Sequence, residues 1–92
     1  MEHHEIDINH CAASTDSEHV DRDDRIRFRS TDTRSYQLTG LGDVLKDVPD
    51  PLNVPAGGCT DYYKVNGEKG SHVYGIGPDC AQHDPPEIII DD

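Results

Sequence analysis

Cys59-Thr-Asp-Tyr-Tyr-Lys-Val-Asn66-Gly67-Glu-Lys-Gly-Ser-His-Val-Tyr-Gly-Ile-Gly-Pro-Asp-Cys80-Ala-Gln-His83 is the stretch on which the reading of the fold turns. Two β-prone runs, 61–65 and 71–76, flank Asn66-Gly67, a dipeptide suited to the tight turn of a hairpin. Folding back about Glu68 carries Cys59 toward Gly77, a few residues short of Cys80. The hairpin therefore predicts that Cys59, Cys80 and His83 meet at its open end.

Working upstream, residues 25–29 read as the clearest strand. Ile26 and Phe28 point one way and Arg25, Arg27 and Arg29 the other, because side chains alternate with a period of two. The polar run 30–33 reads as a turn, and 34–39 as a returning strand with Tyr36 and Leu38 on one face. Asp43 is a candidate N-cap for one or two helical turns over 43–48, stopped by Pro49. Pro51, Pro55 and Gly57-Gly58 mark a crossing loop. Near the start, residues 5–9 alternate as a short strand, and 12–24 is polar enough to read as a loop or arm. At the other end, Pro85-Pro86 force an extended approach to a last strand over 87–91. Its three consecutive Ile imply a central place in a sheet or an edge that adds to a partner's sheet. The expectation is an all-β fold: a small barrel or sandwich of five or six short strands built from two hairpins, with one short helix near 43–48. An acidic strand and arm, 1–24, precedes a small β domain, 25–92.

The chemistry centres on sulfur. Cys80-x-x-His83 has metal-knuckle spacing, and Cys11, or its neighbour His10, could join Cys59, Cys80 and His83 to complete a tetrahedral zinc set. One structural zinc would offset a thin core. Two other arrangements fit the same residues: a Cys59–Cys80 disulfide across the hairpin base, or three ordinary buried thiols. Three cysteines cannot all pair within one chain.

Composition sets the remaining bounds. Ninety-two residues at 33% hydrophobic, with one Phe and no Trp, supply little core, and a domain of this size needs a metal, a disulfide or a partner to supplement it. The net charge is −11, with 14 Asp against 5 Glu and only three Lys. An Asp-rich, Lys-poor chain suits concentrated salt, which screens its self-repulsion. The basic face of 25–29 either pairs with carboxylates of the same chain or grips an acidic partner surface. Nucleic acid is disfavoured, because an acidic chain repels phosphate. No apolar run reaches signal-peptide or membrane length, which predicts a protein of the cytoplasm or of a virion.

No phosphate-binding loop, nucleophile elbow, zinc-protease or dinucleotide motif is present. The expected function is a non-enzymatic structural or assembly subunit of a halophilic archaeon or its virus, such as a virion decoration, connector or tail accessory protein. Its partners would be protein subunits, met through Arg25, Arg27, Arg29, Tyr62, Tyr63, Ile88 and Ile90. A free-standing zinc-stabilised binding or regulatory module and a small thiol or redox protein are the competing expectations.

Overall fold

Apolar residues at every second position give one strand a face of Ile6 and Ile8 and another a face of Ile26 and Phe28. Each strand must turn that face inward. In the computed structural model, which describes residues 2–80 and 85–92, these two strands are neighbours. β1 (His3–Asn9) lies parallel to β4 (Arg25–Ser30), in register from His3 with Arg25 to Ile8 with Ser30. The same register sets Ile6 beside Phe28 inside, and Glu5 beside Arg27 and Asp7 beside Arg29 outside. The outer pairs close as ion pairs: Arg27 Nε lies 2.6 Å from Glu5, and Arg29 makes two 3.1 Å bonds to Asp7. Opposite charges in register support a sheet by a few tenths of a kcal/mol, up to about 1.

Two short strands complete this group. β2 (Ala12–Ala13) folds back on β1 through His10 and Cys11, both at positive φ, as a two-residue hairpin turn requires. β7 (Tyr63–Lys64) pairs with the start of β4. A second group sets β10 (Glu87–Ile90) between β3 (Ser17–Val20), which is parallel to it, and β8 (Gly70–Val73). Glu87 ties all three together, accepting from the Ser17 and Ser71 hydroxyls. The third sets β5 (Tyr36–Thr39) between β6 (Leu52–Val54) and β9 (Gly75–Gly77). The chain leaves the second group and enters the third at Tyr74, which is buried edge-on against Phe28 at 5.7 Å. All three groups contribute to one apolar cluster, including Ile6, Phe28, Leu38 and Ile88.

The all-β class is therefore present, and five details differ from expectation. Asn66-Gly67 does not close a hairpin. Residues 63–66 pair instead with two other segments: Val65 bridges Leu45, Asn66 N donates to Val44 O, and Tyr63 and Lys64 lie on β4. Gly67 is chosen for close approach rather than turning. A Cβ there would collide with the Asp43 carbonyl oxygen and lie 2.9 Å from Ile90 Cδ1. The second expected hairpin, 25–29 with 34–39, also opens, because β4 and β5 belong to different groups. The helix near 43–48 reduces to one turn, with Val44 N and Leu45 N both donating to Leu41 O. Leu45 then leaves to bridge Val65, and Asp47 takes a positive φ of 58° that a helix cannot continue. Residues 17–20, expected in a loop, form β3, because Val20 reaches the core beside Ile90. Among the described residues there are ten short strands in place of five or six.

Gly67→Ala should cost about 1–3 kcal/mol, the price of overpacking a filled site. Gly42→Ala, whose Cβ meets nothing within 4 Å, should stay within about 0.5 kcal/mol of the parent. Urea denaturation of both variants checks the contrast.

Candidate functional site

The turn between β4 and β5 is built on one carboxylate. Asp32 accepts from the His10 amide (2.9 Å), the Arg34 amide (2.7 Å), the Tyr36 hydroxyl (2.5 Å) and Ser30 Oγ (3.2 Å). The Tyr36 bond is the largest of the causes that hold its carboxyl well below the usual carboxylate range, followed by the His10 amide. Tyr36 is buried in β5, and its oxygen also accepts from Cys11 N at 3.3 Å. Asp32 thus positions the His10-Cys11 turn, and that turn carries the sulfur chemistry.

Cys11 is disulfide-bonded to Cys80, with Cα atoms 5.5 Å apart. The bond joins the β1–β2 turn to the segment after β9. Arg34 braces it, donating to Cys11 Sγ at 3.3 Å and to the Pro78 carbonyl. Cys59 is exposed and free, and its neighbour across the strand is Arg29. The expected tetrad of Cys11, Cys59, Cys80 and His83 is not assembled. Two of its sulfurs are bonded to each other and cannot act as thiolates, the third lies elsewhere, and His83 falls outside the described residues. The Cys59–Cys80 pairing fails with the hairpin that implied it.

The expected partner-facing residues separate into three sets. Ile88 and Ile90 are buried in the core and cannot meet a partner. Arg27 and Arg29 are engaged with Glu5 and Asp7. Arg25, Tyr62 and Tyr63 stay together and line a groove of about 390 Å³ with Lys46, Asp47 and Lys64. Tyr62 is fixed there by the His3 ring, edge-on at 4.7 Å, and by the Arg27 guanidinium at 4.8 Å. Lys46 and Lys64 carry no motif, and only strand register brings them to this groove.

Among the described residues, one group of three ligand-bearing side chains lies close enough to share an ion: Glu2, His4 and Asp24. His4 Nε2 is 2.9 Å from Asp24 Oδ2. Burial pushes the Asp24 carboxyl up, but the Asp21 and Glu2 amides and the His4 ring outweigh it and bring it down to about 2.

No protein family and no curated protein sequence matches the chain. Solved structures do. An oxidised methionine-to-lysine mutant of amicyanin superposes with a TM-score of 0.68 at 16% identity, over 95% of this chain and 80% of that one. An oxidised methionine-to-leucine mutant gives the same values. The reduced Cu(I) form at pH 4 of a proline-to-glycine mutant gives 0.60 at 13% over the same spans. The chain has the fold of amicyanin. No helix among the described residues is long and apolar enough to cross a membrane.

The Cys11–Cys80 bond closes 69 residues of chain, a constraint on the denatured state of about 4 kcal/mol. Cys11→Ser/Cys80→Ser should lose about 2–5 kcal/mol, read as a lower urea midpoint. The parent in reductant should fall to match it.

Proposed function

We propose that this chain is a non-enzymatic docking module that joins a larger protein assembly by gripping an acidic segment of its partner. One observation carries the reading: Arg25, Lys64 and Lys46 stand in a row across three adjacent segments. Arg25 faces Lys64 between β4 and β7. Lys46 follows, because Leu45 bridges Val65 and Lys46 N donates to Lys64 O. Like charges placed opposite one another destabilise a sheet. Asp23 offsets Lys64 at 3.2 Å, but among the described residues neither Arg25 nor Lys46 has an ion-pair partner. The row concentrates three of the eight basic residues of a chain whose net charge is −11.

That contrast favours a particular occupant. The acidic remainder repels a long polyanion, so the groove suits a short carboxylate-bearing stretch presented by a folded partner. Arg25 offers a planar fork to a carboxylate and the lysines offer point charges. Tyr62 and Tyr63 add flat surface with polar tips, a composition enriched at interfaces. The acidic surface elsewhere suits concentrated salt, in keeping with a halophilic source.

The amicyanin likeness raises copper, since one of those structures is a Cu(I) form. A blue-copper centre takes two imidazoles and a thiolate. The described residues do not fit it: Cys11 and Cys80 are bonded to each other, the free Cys59 belongs to no group of three ligand-bearing side chains, and the Glu2–His4–Asp24 group contains no sulfur. The proposed function therefore includes no electron-transfer step.

A fluorescent oligo-glutamate peptide, at the lowest salt at which the chain stays folded, tests the reading by anisotropy. It should bind saturably, and Lys46→Glu and Lys64→Glu should each weaken it about tenfold. Lys69→Glu, at an exposed position outside the groove, should leave binding unchanged. Binding indifferent to Lys46→Glu, or a single-stranded oligonucleotide bound in preference, would overturn it.

A further inference from the structure

We propose that Glu2, His4 and Asp24 form a binding site for one divalent transition-metal ion. The site shares no residue with the disulfide or with the basic row, so it stands apart from the docking function.

Its geometry is set by backbone. Asp24 lies in the turn before β4 and is only 5% exposed. The Glu2 amide donates to its Oδ1 at 2.9 Å and the Asp21 amide to its Oδ2 at 3.0 Å. Two amides from separate segments fix the plane of the carboxylate, as supporting hydrogen bonds do for metal-binding carboxylates. His4, on β1, is held with Nε2 2.9 Å from Asp24 Oδ2. Two donors bound at a right angle, each about 2.1 Å from an ion, lie about 3.0 Å apart. An ion that binds both atoms displaces the shared ring proton, sits off the line between Nε2 and Oδ2, and requires the His4 ring to tilt toward it.

The third ligand is mobile by construction. Glu2 Oε2 lies 3.9 Å from His4 Nε2, and its side chain is 79% exposed, so it can close onto an ion without disturbing the core. The three ligand atoms already lie within 4.8 Å of one another. On the far side of the ring, Glu18 Oε2 stands 3.9 Å from His4 Nδ1, beyond hydrogen-bond distance. One imidazole with two carboxylates suits zinc or manganese. The right-angle bite leaves further positions for water.

Zinc titration of the full chain by calorimetry, with manganese line-broadening by NMR, tests the site. One zinc per chain is expected, with broadening centred on Glu2, His4 and Asp24. His4→Gln should abolish binding, and Glu2→Gln, at an exposed side chain that leaves the core intact, should weaken it about tenfold. His3→Gln should change nothing. Binding that survives His4→Gln, or broadening spread evenly over the acidic surface, would overturn the assignment.

Discussion

The Asp32 carboxylate is the constraint on which the arrangement depends. It gathers donors from the β1–β2 turn, from its own loop and from β5. Without those bonds the loop from Ser30 to Arg34 has little to direct it from the first strand group into the third. A short run such as Ser-Thr-Asp-Thr ordinarily makes a hairpin turn. Here the carboxylate turns outward to the His10 amide and to a buried phenol, so the chain crosses between groups instead of folding back. The Tyr36 oxygen, held by Asp32, then accepts from the Cys11 amide and sets the sulfur facing Cys80. One ionised group thus links a turn, a crossing and the covalent closure of a fold with a small core.

Charge is distributed with the same economy. Acids and bases on the outer face of β1 and β4 are in register and satisfy one another, which accounts for Arg27 and Arg29 within the fold. The basic row lies at the other edge of β4, where register sets like beside like. A chain with so few lysines has no structural need to place two of its three there. The amicyanin fold supplies the scaffold, and the side chains on it are this chain's own. Two of its three cysteines form a closure that joins residues 69 positions apart.

Much of the class was legible in the sequence, and little of the pairing. Period-two alternation marked β1, β4 and β5, because it reports which face of a strand is buried, and the run of three Ile marked β10. It does not report which strand lies alongside. The parallel pairs β1–β4 and β3–β10 join segments far apart in the chain, and no local signal carries them. Asn66-Gly67 misled because glycine serves two purposes, turning and close approach, and the sequence alone does not separate them. The tetrad of Cys11, Cys59, Cys80 and His83 followed from that hairpin, so it fell with it. Arg25, Tyr62 and Tyr63 were identifiable by type, whereas Lys46 and Lys64 became visible only once three segments were aligned. Asp32 looked like any turn residue. Only the donors around it distinguish it, and they come from residues 10, 30, 34 and 36.

The most direct measurement is an NMR pH titration of the Asp32 side-chain carboxyl carbon in the intact, oxidised protein. Donors that favour the ionised form depress its pKa in the folded chain below the unfolded value of 3.8. Its contribution to stability is then present above that value and is lost as pH falls through the folded one. The account predicts that Asp32 stays ionised well below pH 3.8. A midpoint for Asp32 at or above 3.8 would mean that the donors are not bound, and would contradict the role given to this residue.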